Sequence, residues 1–152
     1  MEKVEGIQDI QIVSLVMVKE KTLQYQYGER VDSPKVLADI FTKFIGDSDR
    51  EILALISLNV KNKINAINIV SIGSLNSSIV HPREVFTEAI KNSSASIIIC
   101  HNHPSGDPTP SNEDINITYR IRDCGKLLGI ELVDHIIIGE GTYVSLKEKG
   151  IL

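Results

Sequence analysis

The chain has too few cysteines for a disulfide framework. Its two, Cys100 and Cys124, are not in a CxxC pair, so both are expected to be reduced thiols in the core of a cytoplasmic protein. No secretory leader is expected, because residues 1–6 are mostly polar and no apolar h-region follows. The apolar runs, such as residues 52–58, are far shorter than the roughly 20 residues that span a bilayer. These absences predict a protein that is neither disulfide-stabilised, secreted nor inserted in a membrane.

Positive charge is not in excess. The sequence has 16 Lys and Arg residues and 20 Asp and Glu residues, for a net charge of -4. This charge gives no electrostatic argument for a nucleic-acid or anionic-membrane partner. Hydrophobic residues make up 42% of the 152 residues, enough to build the core of one domain. No linker or repeat divides the chain. We therefore expect one structural domain, with residues 1–30 as an N-terminal strand region packed on residues 31–152.

The hydrophobic pattern alternates between strand and helix periodicity. Strands are predicted at residues 10–19, 23–27, 52–58, 64–72, 94–100, 131–139 and 142–145, and helices at 34–45, 82–91 and 111–128. Ser33 and Pro34 are suited to begin the first helix, and Gly46 and Gly129 to end the first and third. This order predicts an α/β (α+β) protein with helices packed on one mixed sheet. The stretch at residues 23–27 is a weak edge strand that could pair across a homodimer.

The most informative stretch runs from His101 to Asp114. His101 and His103 are two residues apart, so their imidazoles point the same way if the preceding strand continues through them, whereas Cys100 points to the opposite face. A loop rich in proline and glycine then folds the helix that begins at Ser111 back against the strand end. Asp114, one turn into that helix, becomes a third ligand. Three protein ligands leave a fourth tetrahedral position for water, which is typical of a catalytic zinc site.

Two alternatives stay open within this stretch. Ser111 and Asp114 also have the spacing of a capping box, and an Asp114 that binds metal could not fully serve the cap. Ser111 could both cap the helix and hydrogen-bond a developing oxyanion.

A hydrolase also needs a base near the metal, and Glu51 has the best position because it directly precedes a buried strand. The candidate bases are Glu51, Glu84, Glu88 and Asp134.

These residues resemble those of a known family. The pattern His101-x-His103-Pro104 with Ser111-x-x-Asp114 is similar to the JAMM motif of MPN/JAB domain metalloproteases. The likeness runs from about Val31 to Leu152 and is fullest with the RadC-like JAB domain of bacteria. The further segments that carry it are His81-Pro82-Arg83-Glu84, His101-Asn102-His103-Pro104-Ser105-Gly106 and Asp134-His135-Ile136-Ile137-Ile138-Gly139.

The resemblance implies a three-layer α/β/α, cytidine-deaminase-like JAB/MPN fold around a zinc ion. It implies His101, His103 and Asp114 as the zinc ligands. It further implies that Glu51 is the general base and that Ser111 stabilises the tetrahedral intermediate. The implied activity is that of a zinc metallopeptidase, which hydrolyses a peptide or isopeptide amide of a protein or peptide substrate with zinc-activated water.

Other functions compete with the hydrolase. One is a non-catalytic JAB-type binding module in a DNA-processing or protein complex, in keeping with the link of RadC-like proteins to DNA repair. Such proteins usually carry helix-hairpin-helix segments before this domain, which the chain is expected to lack, so no nucleic-acid partner is expected. A nucleobase deaminase would need HxE and PCxxC patterns, and the sequence has neither. A zinc nuclease is disfavoured by the net charge of -4.

The remaining polar residues of these motifs receive structural interpretations. His81 is expected to be a residue at a helix start, and His135 a histidine that is buried in the sheet and satisfied by hydrogen bonds or in contact with the metal ligands. Asn102 and Ser105 are expected to fix the loop by turn bonding.

Overall fold

The computed structural model describes residues 6–25, 31, 33–45, 47–73 and 80–152. In them, one sheet with the strand order β2-β1-β3-β4-β5 is antiparallel except between β3 and β4. This mixed sheet with helices confirms the predicted α/β class. The helices are α1 (Pro34–Ile45), α2 (Pro82–Lys91) and α3 (Asn112–Leu128), and the strands are β1 (Ile52–Leu58), β2 (Ile64–Ile72), β3 (Ser96–Asn102), β4 (Glu131–Ile138) and β5 (Tyr143–Ser145).

Side chains at alternating positions of the central strands build two separate cores. Leu53 and Leu55 of β1 pack with residues of α2 and α3 on one face of the sheet. Ala54 and Ile56 pack with residues of α1 on the other face. Every residue of β1 and β3 is buried, as expected for strands covered on both faces. The molecule therefore has the three layers, helix, sheet and helix, that the resemblance implies.

The helix ends follow from local chemistry. The Ser33 hydroxyl accepts a hydrogen bond from the Val36 N–H at 3.3 Å, at the start of α1. At the end of α3, Gly129 adopts a left-handed φ of 71° and its N–H donates to the Gly125 carbonyl, a conformation that glycine adopts without strain. Both ends agree with the sequence prediction. The predicted stop of α1 at Gly46 lies outside the described residues.

The predicted strand at residues 10–19 is wrong. No residue from 6 to 25 lies in a strand, and the large apolar side chains from Ile7 to Val18 are 61–100% exposed. β-Branched residues favour a strand only where the segment can pair with a neighbouring strand and pack one face against a core. No described strand pairs with this segment. Residues 23–25 are likewise outside any strand, and residues 26 and 27 are not among those described. The division into residues 1–30 and 31–152 stays a prediction, as does pairing across a homodimer.

Strand β3 differs from its predicted bounds in a way that matters for the site. It runs from Ser96 to Asn102 rather than over residues 94–100. Neighbouring strands hydrogen-bond it on both sides, with His101 opposite Leu53 of β1 and Ile137 of β4. The first histidine of the motif is therefore part of the central strand. Among the described residues, no helix combines the length and hydrophobicity needed to cross a bilayer.

Candidate metal centre

Strand β3 presents His101 to the helix α3 side of the sheet. Ile97 and Ile99, which lie on the same face of the strand as His101, belong to the core beneath α2 and α3. Cys100 belongs to the opposite core, where burial raises the pKa of its thiol far above the usual value. The alternation of side chains along a strand explains both placements. The prediction that His101, but not Cys100, faces the site is confirmed.

His103 is held by the turn that follows β3. Its N–H donates to the Ile138 carbonyl at 2.8 Å, and the Gly106 N–H donates back to the His103 carbonyl at 3.0 Å. The imidazole Nδ1 lies 2.7 Å from the Asp107 carbonyl oxygen. A carbonyl oxygen can only accept, so Nδ1 carries the proton and the neutral ring has its lone pair on Nε2. The loop therefore turns Nε2 of His103 toward the site as a potential metal ligand.

Asp114 serves the helix cap and the site together. Its Oδ2 accepts a hydrogen bond from the Ser111 N–H at 2.8 Å, and its own N–H donates to the Ser111 hydroxyl at 3.1 Å. The predicted capping box is thus complete. The same carboxylate has Oδ1 3.1 Å from His101 Nε2 and Oδ2 3.2 Å from His103 Nε2. Because a carboxylate has several lone pairs on two oxygens, the capping bond leaves others for a metal, and whether a metal-bound Asp114 would still fully serve the cap stays a prediction.

The environment of Asp114 keeps its carboxylate ionised. Burial favours the neutral acid, but the hydrogen bond and charge of His101 and the hydrogen bonds from Ser111 outweigh burial, so the pKa of Asp114 is held well below its usual range. The start of α3 adds the positive end of a helix dipole. An anionic oxygen donor is therefore available at neutral pH.

The three side chains fit a tetrahedral metal ion. His101 Nε2 and His103 Nε2 are 2.9 Å apart, and with Asp114 they form a cluster of potential ligand atoms that could hold a metal. Tetrahedral ligands at zinc bond lengths lie about 3.3 Å from one another. The observed nitrogen–nitrogen separation of 2.9 Å is somewhat shorter, and each imidazole approaches a different oxygen of Asp114, His101 at 3.1 Å from Oδ1 and His103 at 3.2 Å from Oδ2. A small outward movement of these side chains would accommodate the ion.

Glu51 precedes β1 at the end of the sheet where His103 follows β3, since these strands are antiparallel with Leu53 opposite His101. The backbone on both sides of Glu51 is held by Asn102. The Asn102 Oδ1 accepts from the Ile52 N–H at 2.7 Å, and its Nδ2 donates to the Arg50 carbonyl at 2.9 Å. Asn102 thus bonds to a neighbouring strand rather than within a turn, which corrects its predicted role.

The other candidate bases are placed differently. Glu84 lies exposed in the first turn of α2, and Glu88 accepts a hydrogen bond from Asn68 of β2. Asp134 accepts from the Ser145 hydroxyl and from the backbone N–H groups of His135 and Lys147, so its carboxylate holds the chain around β5. Glu51 is the candidate whose position at the sheet end matches that of the histidines.

Two polar residues behind the ligands complete the cluster. His135 of β4 is buried, with Nε2 2.7 Å from His101 Nδ1 and Nδ1 2.6 Å from the Thr118 hydroxyl. Burial first, and then the positive potential of His101, lowers the pKa of His135 well below its usual value. His135 is thus buried in the sheet and satisfied by hydrogen bonds, as expected, and it contacts His101, one of the predicted ligands. Thr118 has no sequence signal beyond its distance of one helical turn from Asp114. His81 lies at the N-cap of α2, as predicted, without a side-chain capping bond.

Comparison with known proteins agrees with this architecture. Residues 31–151 match the RadC-like JAB domain family. The chain is 51% identical over 155 aligned positions to a UPF0758 protein of Clostridium botulinum, covering 99% of this chain and 68% of the relative. It is 56% identical over 144 positions to a UPF0758 protein of Clostridium tetani, covering 93% of this chain and 63% of the relative. The chain thus spans about two thirds of the length of these relatives. It belongs to the RadC-like JAB domain family.

Proposed function

We propose that this domain is a zinc-dependent hydrolase of peptide or isopeptide amides. The observation that carries the proposal is the convergence of two imidazole nitrogens and an ionised carboxylate within 2.9–3.2 Å. These three groups lie close enough together to hold one metal ion. Two histidines and one carboxylate match a catalytic zinc site that keeps an open position. Zinc bound there would polarise a carbonyl and lower the pKa of water toward ~7.

The protein's own residues supply the remaining functions. Glu51 acts as the general base: it takes a proton from the attacking water and returns it to the amide nitrogen as the carbon–nitrogen bond breaks. Asn102 holds the backbone at Arg50 and Ile52, which limits the movement of Glu51. The Ser111 hydroxyl, whose oxygen accepts from the Asp114 N–H, keeps its own proton free to donate to a developing oxyanion. The substrate is a protein or peptide.

The metal site is tested by zinc analysis of the purified protein and a His103→Ala variant. We expect stoichiometric zinc in the wild type and its loss in the variant, because two protein ligands hold zinc poorly. His81→Ala is the matched control, since it removes a histidine at the start of α2 that makes no side-chain capping bond. Equal zinc in the wild type and His103→Ala would overturn the metal assignment.

Catalysis is tested separately by Glu51→Gln, with Glu84→Gln as the control because Glu84 is exposed on α2. Hydrolysis of a peptide and an isopeptide library should fall by a factor of about 10² or more in Glu51→Gln while zinc is retained. Glu84→Gln should keep both. If hydrolysis survives in Glu51→Gln, Glu51 is not the base. A zinc-loaded wild type without hydrolysis would favour the non-catalytic binding module instead.

A further inference from the structure

A continuous chain of hydrogen bonds runs from the first histidine of the site into helix α3. His101 Nδ1 lies 2.7 Å from His135 Nε2, and His135 Nδ1 lies 2.6 Å from the Thr118 hydroxyl oxygen. That hydroxyl is also 2.6 Å from the backbone carbonyl of Asp114. His101, His135 and Thr118 are at most 1% exposed. Bulk water does not reach these bonds. The position of each proton therefore depends only on the two imidazoles, the Thr118 hydroxyl and the Asp114 carbonyl.

The Asp114 carbonyl at the end of this chain determines which group donates and which accepts in every bond. The Asp114 carbonyl can only accept, so the single hydroxyl proton of Thr118 is donated to it. The Thr118 oxygen must then accept from His135, which places a proton on His135 Nδ1. A second proton on His135 would bury a charge inside the sheet, so its Nε2 keeps a lone pair. That lone pair accepts from His101, which therefore carries its proton on Nδ1.

We propose that Thr118 and His135 are positioning residues that fix His101 in the Nδ1–H tautomer, with the Nε2 lone pair directed at the metal. This inference rests on the proposed metal site. Hydrogen bonds to the remote nitrogen of a metal-binding histidine set its tautomer and orientation. The Asp107 carbonyl does the same for His103. Both imidazoles are thus prepared to bind a metal ion without a change of tautomer.

Helix α3 has a double role in this arrangement. Asp114 supplies a ligand oxygen from its side chain and the acceptor for Thr118 from its backbone. Thr118 lies one turn further along, on the same face of the helix. A shift of α3 would therefore move the third ligand and the tautomer-setting hydroxyl together, so that a single element aligns the carboxylate with His101.

The inference is tested by zinc affinity, measured by competition with a chromophoric chelator. Thr118→Val removes the hydroxyl with little change in volume, and we expect zinc to bind 10–100-fold more weakly. Thr118→Ser retains the hydroxyl and should restore an affinity close to that of the wild type. The matched control is Thr87→Val, because the Thr87 hydroxyl makes the same bond to the carbonyl four residues earlier, at an exposed position of α2. Equal affinity in Thr118→Val and the wild type would overturn the inference.

A second measurement does not depend on metal or on the folding of a variant. Long-range ¹H–¹⁵N correlation spectra of the metal-free wild type at pH about 8, where free imidazoles are neutral, report each histidine tautomer. We expect His101 and His135 both to be protonated on Nδ1. Protonation of His101 on Nε2 alone would overturn the inference even if zinc binds. Absence of zinc binding to the wild type would instead overturn the proposed function, and the spectra would still decide the tautomer.

Discussion

Asn102 occupies the centre of the His101-x-His103 motif, and its side chain bonds to the backbone on both sides of Glu51, where β1 begins. Asn102 is almost fully buried. Its amide takes the place of water as the hydrogen-bond partner of two backbone groups, the Ile52 N–H and the Arg50 carbonyl. Unsatisfied buried groups of this kind cost about 1–3 kcal/mol each. One residue between the two histidines therefore links the strand of the candidate metal ligands to the segment that carries Glu51, the proposed general base.

Asn102→Ala should reduce amide hydrolysis while zinc is retained, because the variant frees the backbone around Glu51 and leaves both histidines unchanged. Its free energy of unfolding should fall by about 1–3 kcal/mol, as measured by urea denaturation alongside zinc content and hydrolysis. Asn59→Ala is the matched control: the Asn59 side chain likewise makes two hydrogen bonds to the backbone, since its Oδ1 accepts from the N–H groups of Lys61 and Lys63, but at the other end of β1. It should lose stability and keep hydrolysis. Full hydrolysis in Asn102→Ala would refute this positioning role.

Helix α3 is the element on which the site depends most. Its first turn carries Asp114, and its second carries Thr118. At its far end, Gly125 accepts a hydrogen bond from the Ile130 N–H at 2.9 Å, where the chain turns into β4. A Cβ at Gly125 would overlap the Ile130 carbonyl oxygen and contact the Phe86 ring at 3.4 Å. Glycine here costs roughly 0.5–1 kcal/mol of helix stability relative to alanine, a loss offset by the close approach of α3 to the chain that leads into β4.

Gly125→Ala should therefore destabilise the protein even though alanine is the better helix former. We expect the free energy of unfolding to fall by about 1–3 kcal/mol, the usual cost of overpacking a core, because the obstacle is backbone rather than a flexible side chain. Asn116→Ala provides the control, since residue 116 is exposed on the same helix and should be neutral or slightly stabilising. Urea denaturation measures both variants. A more stable Gly125→Ala would contradict the packing argument.

At the scale of the whole molecule, the described cores are built from residue 31 onward. The two clusters draw on all three helices and on strands β1, β3 and β4, with partly buried residues of β2 and β5 and also Val31 and Leu152 packed at their margins. Residues 6–25 provide no buried residue. Their described contacts with α1 include the Lys43 ammonium to the Gln24 carbonyl and Lys21 over the Phe44 ring. Such exposed contacts contribute little to stability.

Deletion of residues 1–20 should leave the free energy of unfolding within about 0.5 kcal/mol of the wild type and zinc affinity unchanged. Deletion of residues 151–152 is the comparison at the other end of the chain. It removes Leu152, which packs against the core, and the hydrogen bond from the Ile151 N–H to the Leu146 carbonyl, so we expect a loss of about 1–3 kcal/mol. Urea denaturation and chelator competition measure both. A large loss of stability on deletion of residues 1–20 would show that this segment packs on the domain.

Local sequence determined much of the fold and the centre of the site. Apolar periodicity predicted all three helices and the strands of the sheet, and the spacing of His101, His103 and Asp114 predicted the ligand cluster, because neighbours within a few residues are placed by helix and strand geometry. Tertiary structure decided the rest. Asn102 meets residues 50 and 52, and His101 meets His135, only because β3 lies between β1 and β4. Residues 10–19 have strand-forming composition but are in no strand, since a strand needs the hydrogen bonds of a partner, and no local pattern supplies one.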